Sequence, residues 1–149
     1  GLPQRQLIKC DHTGSYCLKM NGCCDSINDI NKFCYSAQSH HTARLIAEKL
    51  NIPGEKYTIC FQSRLGSDPW VQPYTSEVVA RLAKEGKKRL LVFCPAFVAD
   101  CLETVYEVTV EYGDAFKALG GEHVQLVESL NDKPTWIDAL EQLVRGGAS

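Results

Sequence analysis

Apolar and polar positions along the chain switch between two periods, and the switches mark out the elements. Leu45, Ile46 and Leu50 recur at helical spacing behind Ser39, so a helix is expected from an N-cap at Ser39 with those three residues inward, stopped by Asn51 to Gly54. Tyr57 to Gln62 (YTICFQ) is nearly continuously apolar and reads as a strand covered on both faces. Ser63 to Tyr74, with Pro69, Pro73, Gly66 and Trp70, reads as a loop. Thr75 or Ser76 then caps a helix carrying Val78, Val79 and Leu82 and ending at Gly86. Arg89 to Cys94 is the second expected strand. From about Val98 to Leu119, Leu102, Val105, Thr109, Tyr112 and Phe116 follow a helical period, although β-branched Val105, Val108, Thr109 and Val110 weigh against a helix there. Gly120-Gly121 closes that segment, His123 to Val127 is a third short strand, and Pro134 to Val144 is a last helix with proline at its start. Residues 1–37 show no sustained period and read as loop. Alternating strands and helices imply parallel βαβ units and a three-layer α/β sandwich.

Composition changes this picture in one place. The 149 residues suit a single domain with an ordinary core, and a net charge of −2 gives no sign of a nucleic-acid partner. No apolar run approaches the ~20 residues of a membrane span, and the first residues lack a signal-peptide pattern. A cytoplasmic location is therefore expected, and loose peripheral membrane contact is compatible with it. Cysteine is the anomaly. Of eight, Cys10, Cys17, Cys23, Cys24 and Cys34 lie in the first 34 residues, whereas Cys60, Cys94 and Cys101 sit among apolar neighbours as expected buried thiols. A cysteine-dense patch on an otherwise normal α/β body points to a metal or cluster site.

The other chemical signal is a row of carboxylates. Glu103, Glu107 and Glu111 recur every four residues beside Asp100, with no Lys or Arg among them. On an α-helix each such step overshoots a full turn by about 40°, giving one slowly winding acidic stripe. Like charges at this spacing cost a few tenths of a kcal/mol per pair, so the row suits a visiting cation or mobile protons. A solvated helix face is the plainer reading. The strand-like RLLVFCP just upstream favours the first, because ligands of open α/β sheets bind beyond the carboxyl ends of the strands.

These residues together resemble the ferrochelatase family, whose members insert ferrous iron into a porphyrin. The likeness runs from Gly1-Leu2-Pro3-Gln4-Arg5 and then from about Thr42 to Val144. It is carried by FQSR, Pro69-Trp70, Pro73-Tyr74-Thr75 with Glu77, and CPAFVADCLET followed by YE. It implies a Rossmann-like parallel sheet flanked by helices, the second half of a two-domain fold that holds the porphyrin in a cleft. It implies that Glu103 is the active-site glutamate, that Asp100, Glu103, Glu107 and Glu111 form the iron path, on a helix containing π-type turns, and that Ser63 and Trp70 line the porphyrin. The family's metal-binding histidine precedes a glycine that Gly1 matches, so the expectation is of a fragment, inactive alone, whose N-terminal half supplies that histidine.

Residues 10–37 depart from the short segment of many family members. Some members carry a 2Fe–2S cluster on cysteines resembling this insertion, which implies Cys10, Cys17, Cys24 and Cys34 as ligands, with Cys23 as a substitute for Cys24. A structural Zn site of four cysteines is the main rival, although no C-x₂-C knuckle is present, and disulfides are the third option. Two functions remain to be weighed: the ladder-bearing half of a porphyrin ferrochelatase with Fe²⁺ as substrate, or a non-catalytic iron–sulfur sensing or docking module that reuses the fold. Protoporphyrin IX is the expected porphyrin, with a copro-type substrate the alternative.

Overall fold

The alternation read from the sequence is realised in the computed structural model, which describes residues 1–10 and 22–147, the side chains of residues 8–10 excepted. The elements are helices α1 (Gln4–Cys10), α2 (Tyr35–Lys49), α3 (Thr75–Lys84), α4 (Leu102–Tyr106), α5 (Gly113–Ala118) and α6 (Pro134–Gly146), with strands β1 (Arg89–Val92) and β2 (His123–Leu126). A 3-10 turn occupies Gly54–Lys56, and a π-helical segment, Glu107–Tyr112, joins α4 to α5 without a break. The chain divides into two compact units, Gly1–Val79 and Ala80–Ser149, each described by itself.

The first unit closes around Leu7, Cys34, Ala37, Phe61 and Val71, with Leu2, Cys24, Ile27, Tyr35 and Ile59 packed against them. Leu7 belongs to α1, a helix where the sequence reads as loop. One seven-residue helix with one core leucine offers no period for a longer window to detect. Helix α2 starts four residues before the expected cap. Cys34 is its N-cap, and Ser39 lies inside the helix with its hydroxyl donating to the Tyr35 carbonyl at 2.8 Å. The buried residues of α2 are Ser36, Ala37 and Ala47, while Leu45 and Leu50 are 50% and 62% exposed, so the expected inner face is corrected. Small side chains let α2 approach the core closely. Asn51, at φ 54°, ends the helix: its N–H donates to Glu48 O and that of Ile52 to Ala47 O.

Tyr57 to Gln62 is extended but does not form a strand among the described residues. Its pairing is a single parallel bridge, Phe61 with Tyr74, made by Phe61 N–H to Pro73 O at 2.9 Å and Thr75 N–H to Phe61 O at 3.0 Å. The ladder stops there because Thr75 already begins α3. The Gly-Leu-Pro-Gln-Arg segment pairs with the following loop. Val71 N–H donates to Leu2 O at 2.9 Å, Gln4 N–H donates to Pro69 O at 2.8 Å, and Arg5 forms an ion pair with Asp68.

In the second unit β1 and β2 pair in parallel, Arg89 opposite His123 through Val92 opposite Leu126, and the helix between them packs on β2. This is a βαβ unit, a parallel pair flanked by helices, so the α/β class holds. The α3 helix ends as expected at Gly86 (φ 82°), whose N–H bonds Ala83 O while that of Lys87 bonds Leu82 O, a paired closure that requires left-handed backbone. The long helix starts at Leu102 rather than Val98. Its buried residues are Thr104, Val108, Gly113 and Phe116, whereas Leu102 is 74% exposed. The spacing of that face runs four, five, three: the five-residue step falls in the π segment and shifts the register away from the constant helical period expected.

Candidate functional site

The acidic row sits on the helix that follows β1, and its first turn is tied down at the carboxyl ends of both strands. Asp100 N–H donates to Asn131 Oδ1, and Asn131 Nδ2 donates back to Asp100 Oδ2, both at 2.8 Å. Ser129 N–H lies 3.2 Å from Asp100 Oδ1, and Asn131 N–H bonds Val98 O at 2.9 Å. The loop after β1 and the loop after β2 are thereby clamped, at the edge where open α/β sheets take their ligands. Cys101 then caps α4: its N–H donates to Thr104 Oγ1 at 3.0 Å, and its side chain receives the Thr104 N–H. Asn131, at φ 48°, is absent from the sequence-derived set. An Asn after a short apolar strand is an ordinary turn signal, and only the fold reveals its partner.

The donors around Asp100, Asn131 first and Ser129 next, hold its carboxyl below the usual range against a smaller opposing effect of burial. Glu103 is also lowered, first by its own backbone N–H and then by the Cys101 thiol, with desolvation opposing. Carboxylates close together ordinarily raise one another's pKa. At Glu103 the direction is reversed, because the exposed carboxylate folds back onto the positive end of α4.

Glu107, the middle rung, is half-buried and opens the π segment. Its N–H bonds Leu102 O, five residues back, and its Oε1 accepts the phenol proton of Tyr112, five residues on. With such bonding a turn takes more than four residues, so a four-residue step falls short of a full turn instead of passing it. The drift of the stripe therefore reverses within Glu107–Tyr112. The β-branched run contributes to this geometry. The Thr109 hydroxyl donates to Val105 O, and a side-chain donor at that carbonyl competes with the regular ladder. Glu103 and Glu111 are exposed, and among the described residues no three His, Cys, Asp or Glu side chains converge to hold one ion. The carboxylates form a row, not a chelating pocket.

In the first unit, Ser63 adopts φ 64°, a left-handed conformation that costs a serine on the order of 1–2 kcal/mol and is concentrated at working sites. Trp70 is held from three sides. Its indole N–H donates to Leu65 O at 3.0 Å, its backbone N–H approaches the Tyr74 hydroxyl at 3.3 Å, and its carbonyl accepts from Gln4 Nε2 at 3.2 Å. Gly1 lies against it: a Cβ there would meet Gln62 O and Phe61 Cβ at 3.2 Å and the indole at 3.6 Å. Arg64 stacks on Tyr74, 5.2 Å from the ring centre.

Cys23, Cys24 and Cys34 lie near the start of α2. Cys34 is buried in the core that Cys24 packs against, and Cys24 Sγ lies 3.2 Å from Ser36 Oγ and 3.8 Å from Cys23 Sγ. Arg44 donates to Cys24 O at 2.6 Å, and Asn31 Nδ2 donates to both Cys23 O and Ser26 O at 2.8 Å, fixing the backbone of the turn. The donors suit an iron–sulfur cluster in kind, since cysteine sulfur is the usual ligand of such clusters. A complete set needs Cys10 and Cys17, whose side chains lie outside the described residues. Cys94 is buried as expected, while Cys60 and Cys101 are half-buried. Burial raises the Cys60 thiol, with the Thr75 hydroxyl partly offsetting it. His40 is half-buried against Phe61, its Nδ1 2.9 Å from Ser36 O.

The family model for ferrochelatase matches residues 1–148. The chain belongs to the ferrochelatase family. It is 46% identical over 144 residues to a ferrochelatase of Pseudomonas fluorescens (strain Pf0-1), covering 96% of this chain and 42% of that protein. It is 41% identical over 145 residues to ferrochelatases of Coxiella burnetii (strain Dugway 5J108-111), covering 97% and 41%, and of Opitutus terrae, covering 97% and 42%. The chain thus spans about two fifths of the length of the curated relatives it matches.

Proposed function

We propose that this chain is the ladder-bearing half of an enzyme that inserts Fe²⁺ into a porphyrin, protoporphyrin IX, to form haem. The observation that carries the proposal is the clamped α4–π–α5 helix. In a chain of this family it carries Glu103, Glu107 and Glu111 away from the carboxyl ends of a parallel strand pair. Metallation exchanges two pyrrole protons for one Fe²⁺, so the site must deliver a cation and remove two protons. Glu103, whose carboxyl its own N–H and Cys101 hold below the usual range, acts as a hard oxygen ligand and proton acceptor. Glu107 and Glu111 extend the row along which the ion arrives or the protons leave, with Asp100 at its head. An open row binds weakly enough to release iron, whereas a closed four-ligand site would keep it. Ser63 and Trp70 are proposed as porphyrin contacts, the indole offering a flat apolar face.

A 2Fe–2S cluster held by Cys10, Cys17, Cys24 and Cys34 belongs to the same reading. Contact of Cys24 with the core that contains Cys34 favours it over Cys23. Such a cluster supplies a one-electron redox centre when bound. A cytoplasmic setting is proposed with it; among the described residues no helix is long and apolar enough to cross a membrane.

The test joins the N-terminal portion of the Pseudomonas fluorescens ferrochelatase to Gly1 and follows anaerobic loss of free porphyrin fluorescence with Fe²⁺. Metallation by the chimera and none by the 149-residue chain alone is the expected result. A folded chimera that binds porphyrin but leaves iron uninserted would favour the non-catalytic iron–sulfur module.

A further inference from the structure

We propose that Tyr112 is a positioning residue for the acidic row, holding Glu107 as a one-oxygen ligand for the passing cation; the inference rests on the ladder reading above. In an α-helix, side chains five residues apart point about 140° away from each other and do not meet. Here they do, because the turn between them is π-helical: Glu107 N–H reaches back five residues to Leu102 O, and the Tyr112 phenol reaches back five to Glu107 Oε1. The bond is a product of the distorted turn, at the middle rung of the row.

The consequence follows from carboxylate chemistry. A carboxylate whose Oε1 accepts a phenol proton spends one of that oxygen's lone pairs on it, so a two-oxygen grip on a cation competes with the hydrogen bond. The donor also draws charge from the oxygens, which weakens them as ligands. Glu107 is thus tuned toward brief, single-oxygen contact, the property a transit rung needs. Its neighbours in the row differ. Glu103 is held by its own N–H and a thiol, whereas the middle rung is held by a phenol.

Titration of the ¹⁵N-labelled 149-residue chain with Mn²⁺ tests this, because Mn²⁺ seeks oxygen ligands and leaves the thiols aside. Paramagnetic broadening of amide signals from Glu103 to Tyr112 reports occupancy. Tyr112→Phe should bind Mn²⁺ about three- to ten-fold more tightly, the scale of losing one charge-assisted hydrogen bond partly offset by solvent. Incorporating 3-fluorotyrosine at position 112, a stronger donor with the same contacts, should shift binding the opposite way, and it decides the question if the phenylalanine variant loses the helix. In a Glu107→Gln background the Tyr112→Phe effect should vanish, which a merely structural role for the ring would not produce. Weakened binding in Glu107→Gln with none of these Tyr112 effects overturns the Tyr112 inference alone, as does a Tyr112 effect that persists without Glu107. No broadening in the unaltered chain, or none of it dependent on Glu107, overturns the ladder reading and this inference with it.

Discussion

The carboxylate row and the cysteine turn put their donors in place by different means. Asp100, Glu103 and Glu107 each have a protein donor aimed at them: Asn131 and Ser129, a backbone N–H with the Cys101 thiol, and the Tyr112 phenol. The row is therefore preorganised by the βαβ unit and needs no occupant to take shape. Around the start of α2 the backbone is fixed by Asn31 and Arg44, but the thiols answer to different environments. Cys34 faces the core, Cys24 meets Ser36, and no metal-holding set exists among the described residues. A route for a transient ion has to be built in advance, whereas a resident group can complete its own site on binding.

The comparison breaks most visibly at Glu103. In the chimera described above, Glu103→Gln should lower metallation by at least about a hundred-fold, the usual contribution of a positioned acid–base group, with the fold unchanged. The same variant of the isolated chain should leave the iron and sulfide content of anaerobically purified protein as it was. Turnover within a few-fold of the parent would remove Glu103 from the mechanism.

At the other site the effect is all-or-none on loading and smaller on stability. Cys34→Ser should abolish cluster assembly, read as loss of visible absorbance and of acid-labile sulfide, because an alcohol is a poor substitute for a soft thiolate. It also places a hydroxyl in the first unit's core, at a cost of about 1–3 kcal/mol without a partner. Cys23→Ser should retain most of the colour, since Cys24 is the neighbour that packs against the core. Equal loss in both variants, or a colourless protein that carries one zinc, would reverse the assignment.

These two regions were also unequally legible in the sequence. The strands β1 and β2 and the helices α3 and α6 lie close to their expected limits, because Gly86, Gly120 and Pro134 are punctuation with a direct backbone cause. Glu103, Glu107 and Glu111 stood out by spacing, but the spacing alone assumed one uniform helix. The π segment moved Leu102, Val105 and Thr109 outward and brought Val108 and Gly113 in. The reciprocal Asp100–Asn131 pair was out of reach, since it joins residues on successive loops that only strand pairing brings together. In the first unit, α1 was too short to show a period, and Tyr57 to Gln62 had strand chemistry with too little partner to pair along.

The clamp itself yields the smallest and most specific prediction. Asn131→Ala removes two hydrogen bonds to Asp100 and should lower the urea midpoint, with Asp100 left short of its first donor. Its pH signature separates it from a general loss of packing. Asp100 and Glu103 both have folded pKa values below their unfolded ones, so each contributes stability that is fully present above the ordinary carboxylate value. That contribution is lost as pH falls through the folded value, below about pH 4. The parent should therefore show flat midpoints from pH 7 to 5 and a decline below pH 4. Since Asn131 is the largest cause of the lowering at Asp100, Asn131→Ala should be destabilised at pH 7 yet decline less steeply in acid, so that the two proteins converge toward pH 3. Parallel curves, displaced by the same amount at every pH, would mean that Asn131 supports the loop through shape alone and that the head of the row is not electrostatically clamped.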